Sequence, residues 1–189
     1  KLLETAVNEV SKLPGIGTKT ALRLVLHLLK REKNEAKKLG SALNSLLDEI
    51  QYCSVCNNIT EKDVCDICSS QNRDHTIICV VEDIRDLLAI ENTQQYTGVY
   101  HVLGGIISPI DGISPADLTI DLLVERVTSQ NIKEAILALP TTMEGDTTNY
   151  YLHKKLREHV SKITTLARGL AFGDELQYTD EVTLGRSLI

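Results

Sequence analysis

The sequence predicts an α+β chain of several small parts: a helical N-terminal region, a compact four-cysteine loop, an α/β region on a mostly parallel sheet, and a short C-terminal segment. Three observations carry this prediction. Over residues 2–50 apolar side chains recur every three or four positions, the period of helices with one buried stripe. At residues 53–68 two close cysteine pairs interrupt that pattern. From Thr76 onward short apolar runs alternate with helical periods, the order expected of parallel strands joined by crossover helices.

The chain has 189 residues, 42% of them apolar, with no Trp and one Phe, so Leu, Ile and Val must build its core. The net charge of -6 is divided unevenly. Residues 1–40 hold nine Lys or Arg against four Glu, and the remainder holds eleven against twenty-two acids. A basic face can therefore bind phosphate on an acidic chain, because exposed charges more than about 8 Å apart are largely screened at physiological salt. A solvated helix surface would account for the same lysines. With no apolar run of about eighteen residues and no signal-peptide features after Lys1, a soluble cytoplasmic protein with no membrane span is expected.

Leu2, Leu3, Ala6, Val7, Val10 and Leu13 predict a first helix that ends at Pro14. Ala21, Leu22, Leu24, Val25, Leu26, Leu28 and Leu29 predict a second, with Thr18 placed to cap it. Between them Gly15-Ile16-Gly17 makes a tight turn, either an ordinary helical corner or an anion site. The second reading has a mechanism: glycines let the backbone approach a phosphate, and the free N–H groups of a helix start donate to it. Ile16 is then expected to plug the turn into the core, with Lys19 and Arg23, four apart, on one face beside the anion. Asn34 to Ile50 predicts a third helix with Ala36, Leu39, Leu43, Leu46, Leu47 and Ile50 on one side.

Cys53-x2-Cys56 and Cys65-x2-Cys68, separated by eight residues, have the spacing of a four-thiolate zinc site. Four closed ligands leave no position for water or substrate, so one structural ion is expected rather than a catalytic one. Two disulfides are the alternative, and the expected reducing compartment weighs against them. The fifth cysteine, Cys79, lies off this spacing inside an apolar run and is expected to be a small core residue.

Thr76–Val81, Val99–Leu103, Glu134–Leu139 and Ile163–Leu166 predict four strands of a sheet covered on both faces. The intervening helices carry Ile84, Leu87 and Leu88; Leu118, Leu122, Leu123 and Val127; and Tyr151, Leu152 and Leu156. Glu82 follows the first strand, and Glu144 and Asp146 follow the third in a loop from Pro140. At the carboxyl ends of parallel strands such acids can converge on one magnesium ion, dock a partner protein, or cap and solvate loops. The residues alone leave the three open.

The glycine turn at 13–17 resembles the hairpin of helix-hairpin-helix DNA-binding motifs, and the acids Glu82, Glu144 and Asp146 resemble those of Toprim domains. In the latter the first member of the paired acids is usually Asp, where this chain has Glu144, and none of the six tyrosines lies in a nucleophile motif. The order of parts, with the runs at 13–17, 100–115, 166–170 and 180–186, is similar to that of the bacterial RecR recombination mediator family over essentially the whole chain. Ala171 and Leu139 depart from the Pro and Asn common there, at backbone or packing positions.

The resemblance implies a helix-hairpin-helix region at 1–52, a four-cysteine zinc finger at 53–75, a Toprim domain at 76–165 and a C-terminal assembly segment at 166–189. It further implies a non-enzymatic mediator that acts with RecO and RecF to load RecA on gapped single-stranded DNA, as a ring-shaped homotetramer. Gly15, Ile16, Gly17, Lys19 and Arg23 would then grip single- or double-stranded DNA without reading sequence. The zinc loop is expected to set the angle between the helical grip and the sheet. A magnesium-dependent Toprim nuclease or primase is the alternative function.

Overall fold

Residues 1–167, 169 and 175–186 are described by the computed structural model. They fall into two units, Lys1–Ile50 and Gln51–Ile189. In the first, α1 (Leu2–Ser11) and α2 (Thr18–Lys30) form where the apolar stripes predict them. Val7, Ala21 and Val25 are buried between the two, and Ala6, Val10 and Ile16 pack against that cluster. Gly15 turns the chain with φ +77°, a left-handed conformation that costs glycine little. The first helix stops two residues earlier than its stripe, leaving Leu13 exposed.

Two expectations for this unit are corrected. Thr18 does not cap α2: Gly17 is the N-cap, and no side chain satisfies the first turn. The third helix, α3 (Lys33–Glu49), forms but buries none of its residues. Leu39, Leu43, Leu46 and Leu47 all remain exposed, because spacing specifies an apolar face but not the partner that covers it.

The second unit begins with the cysteine loop. A short antiparallel pair, β1 (Gln51–Tyr52) and β2 (Ile59–Thr60), and a one-turn helix, α4 (Asp66–Ser69), frame it. A four-stranded sheet follows, made of β3 (Asp74–Val81), β4 (Gly98–Val102), β5 (Glu134–Ala138) and β6 (Lys162–Thr165). All neighbours are parallel and the order is β4-β3-β5-β6.

Alternation along β3 explains both layers of the core, since successive side chains of a strand point to opposite faces. Ile78 and Val80 join a cluster with Leu123 and Val127 of α6 (Ile120–Ser129) and Leu152 and Leu156 of α7 (Met143–Leu156). Cys79 and Val81 face the other way, toward Leu87 of α5 (Ile84–Asn92), with Ile67 of the cysteine loop packed on the same cluster. The sheet is thus covered on both faces, and Cys79 is the expected core residue, its thiol pushed up to about 12 by burial.

The helix after β5 starts earlier than expected. Pro140–Asp146 is not all loop: Thr142 caps α7, its hydroxyl accepting from the Gly145 N–H at 3.1 Å, so Glu144 and Asp146 lie in the first helical turn. Gly145 is required there, because a Cβ would sit 2.0 Å from the Pro140 carbonyl oxygen. Beyond β6 the chain forms a 3-10 turn, Leu176–Tyr178, and α8 (Glu181–Arg186). Of the C-terminal motif, Arg168, Leu170 and Ala171 lie outside the described residues.

Candidate nucleic-acid interface and metal centre

The start of α2 presents backbone donors that no side chain caps. The first turn of any helix has N–H groups without intrahelical partners. Here neither a capping side chain nor an acidic residue in the first turn competes for them. A Cβ added at Gly17 would meet nothing within 4 Å, so space above the turn is open to an approaching group. Gly17 has φ -80°, which any residue can adopt, so backbone strain does not require glycine here.

From this turn a cationic stripe runs along α2. Lys19, Leu22, Arg23, Leu26, His27 and Lys30 line a shallow groove of about 390 Å³. Their spacing of three and four keeps them on one helical face. Nearby cations are already paired, Lys12 with Glu9 at 2.8 Å and Arg31 with Glu35 at 3.2 Å. Among the described residues Lys19 and Arg23 have no acid partner. Sequence reasoning found Lys19 and Arg23 but not His27 and Lys30, which continue the same helical period.

The four cysteines converge. The sulfurs of Cys53, Cys56, Cys65 and Cys68 lie within 4.8 Å of one another, with Cys56 and Cys65 at 3.6 Å. Tetrahedral zinc with bonds near 2.3 Å requires sulfurs about 3.8 Å apart, so the cluster fits the ion. All four are free thiols, the first three buried and Cys68 half-buried. Backbone N–H groups are aimed at the sulfurs: that of Cys65 donates to Cys53 Sγ at 3.3 Å, and that of Cys68 to Cys65 Sγ at 3.4 Å. Hydrogen bonds from the Cys56 and Cys68 thiols hold Cys65 far below the usual thiol range, while the bond to Cys65 pushes Cys56 well above it. Four thiols this close resist losing all their protons unless a cation replaces them.

The loop is fastened to the sheet. The Cys56 carbonyl accepts from the Val102 N–H at 2.8 Å, and Asn57, in a left-handed conformation with φ 60°, donates its side-chain amide to the Val102 carbonyl at 3.1 Å. Val102 belongs to β4, an edge strand of the sheet, so the cysteine turn covers an edge that would otherwise present unpaired backbone groups.

The acids are arranged differently. Glu82, just after β3, is partly buried, and burial, with Asp86 and Asp83 beside it, raises its carboxyl above the usual range. Asp83 is occupied as the N-cap of α5, its carboxylate accepting from the N–H groups of Arg85 and Asp86 and pairing with the Arg85 guanidinium. Among the described residues the four cysteines are the one group of three or more metal-ligating side chains close enough to share an ion; Glu82, Glu144 and Asp146 do not form such a group. A cavity of about 480 Å³ opens at the ends of β5 and β6, bordered by Leu137, Leu139, Asn149 and Thr165, and none of the three acids lines it.

No helix among the described residues is long and apolar enough to cross a membrane. Family profiles match the chain in four consecutive pieces: RecR helix-hairpin-helix over residues 3–47, RecR four-cysteine zinc finger over 50–70, Toprim domain over 76–167 and RecR C-terminal over 169–189. The chain is 59% identical over 189 residues to the recombination protein RecR of Cytophaga hutchinsonii, and 57% identical over 188 residues to that of Bacteroides fragilis. Each alignment covers 100% of this chain and 92% of the relative.

Proposed function

The chain belongs to the RecR family of recombination proteins, and on that premise we propose that it is a non-enzymatic mediator of recombinational DNA repair that grips DNA through α2. The observation that carries this reading is the groove in which Lys19 and Arg23 follow directly on the uncapped helix start at Gly17. Backbone N–H groups and two cations in one line suit a run of phosphates and offer nothing that distinguishes bases. Single- and double-stranded DNA should therefore both bind, without sequence preference. Gly15 and Ile16 support the grip from behind, Gly15 by its left-handed turn and Ile16 by packing on the helical core.

In this reading Cys53, Cys56, Cys65 and Cys68 hold one structural zinc ion per chain, consistent with their convergence and with the zinc-finger family match. The organisation adopted is a DNA-gripping region at 1–52, the finger at 53–75, the Toprim domain at 76–165 and an assembly segment at 166–189. Glu82, Glu144 and Asp146 serve as a surface for a partner protein; that the three do not gather as a ligand group among the described residues supports this over a magnesium-dependent nuclease or primase. The partners are RecO and RecF, and the task is loading RecA on gapped single strands in the cytoplasm, at the nucleoid. The exposed leucines of α3 support assembly of several copies, and a ring-shaped tetramer would let several weak grips act together.

The test is DNA affinity as a function of salt for the wild type and the Lys19→Glu, Arg23→Glu double variant. Loss of two phosphate contacts should lower the salt slope by about 2 and weaken binding at low salt at least about tenfold, with unfolding unchanged. Unchanged affinity refutes the assignment of α2 as the grip.

A further inference from the structure

Arg126 of α6 is only 4% exposed. Its Nη1 donates to the Tyr100 carbonyl at 2.7 Å, its Nε donates to Gln130 Oε1 at 3.2 Å, and its Nη2 lies 3.9 Å from Cys68 Sγ. These partners supply two neutral oxygens and a sulfur; among the described residues no carboxylate pairs with it. A guanidinium cannot shed its proton at any physiological pH, and a buried cation without an anion is strongly unfavourable. Arg73, half-buried, follows the ordinary rule and is paired with Glu91.

We propose that Arg126 is the counter-charge of the metal centre, compensating through Cys68 the negative charge that four thiolates retain around a zinc ion. The inference rests on the zinc reading above. Zinc with four thiolates carries two negative charges, and Cys68 is the least buried of the four ligands and the one that the guanidinium approaches. Each side then stabilises the other. The occupied site makes burial of Arg126 favourable, and Arg126 makes retention of a fourth thiolate favourable, the role that outer-sphere partners have around metal ligands. Because the same guanidinium is bonded to Tyr100 on β4 and stems from α6, metal binding is transmitted to the sheet by a charge as well as by the Cys56 and Asn57 backbone pairing. Arg126 is a positioning residue and not a ligand.

The experiment compares wild type, Arg126→Lys and Arg126→Gln as full chains. Zinc content is measured first, then zinc release to a chromogenic chelator, then urea unfolding with and without zinc. Lys keeps the charge; Gln keeps a donor for the Tyr100 carbonyl without the charge. Arg126→Gln should lose zinc at least about tenfold more readily, Arg126→Lys by a few-fold at most, and zinc should stabilise the Gln variant less than it stabilises wild type. In the metal-free state the Gln variant should be as stable as wild type or more so, because the uncompensated charge is gone. Equal zinc retention in wild type and Gln, or equal losses in Lys and Gln, overturns the proposal while leaving the zinc reading intact. A zinc-free wild type overturns both. Should neither variant fold, exchange of the Arg126 guanidinium hydrogens in wild type decides: slower exchange with zinc supports the pairing, and identical exchange with and without zinc removes it.

Discussion

His101 on β4 has no exposed surface, and its imidazole sits where a charge cannot be hydrated. Nε2 meets the Thr119 carbonyl at 3.1 Å and the Thr119 hydroxyl at 3.0 Å, while Nδ1 is buried without a hydrogen-bond partner. Burial lowers its pKa to about 4. In the unfolded chain the same group titrates near about 6.5, so between these values the unfolded state binds a proton that the native state does not. Stability should be fully present above about pH 6.5 and fall as the pH drops toward 4, by on the order of 3 kcal/mol. His101→Gln should flatten that limb of a urea-unfolding series by about one proton. At the hairpin, Gly17→Val separates binding from folding. The position is open and its φ is ordinary, so unfolding should shift by no more than about 1 kcal/mol, the cost of a poorer N-cap residue, while DNA affinity falls, because the added side chain stands where a phosphate must approach.

Among the elements, the cysteine finger and β4 depend on each other most visibly. Removing the metal, or Cys53→Ala, should loosen the 53–68 turn and release the Cys56 and Asn57 bonds to Val102, exposing the β4 edge. Hydrogen exchange at the Val102 amide should rise on chelation, while amides of β5, on the far side of β3, keep their protection. Inside the sheet domain Leu152→Ala in α7 removes a fully buried side chain from the larger core cluster and should cost about 2–5 kcal/mol, read as a lower urea midpoint. The same change at Leu47 of α3, which is exposed, should leave the monomer's stability within about 0.5 kcal/mol.

At the scale of the whole molecule the two units divide at Ile50, where the chain leaves the helices and enters the first finger strand. A solution mass measured with and without DNA tests the proposed assembly: several copies per particle are expected, and a monomer that binds DNA unchanged in mass would rule out the clamp. Combining Leu43→Ser and Leu47→Ser should lower that mass without unfolding the chain, since both side chains are exposed within a single copy.

The parts of this protein written in short-range spacing are legible in the amino-acid sequence by itself. Helices announce themselves through apolar residues three and four apart, strands through short β-branched runs such as Thr76–Val81, and the finger through two cysteine pairs whose spacing alone suits one ion. Lys19 and Arg23 belong to this class, as they share one helical turn. What the sequence left open is held by contacts between distant residues. Whether α3 buries its leucines, whether Glu82 meets Glu144 and Asp146, that the finger pairs with Val102, and that Arg126 reaches Cys68 were all decided by topology. The reason is physical: periodicity specifies which face of an element is apolar, but the partner of that face, and the charge beside a buried group, depend on how the strands are ordered in space.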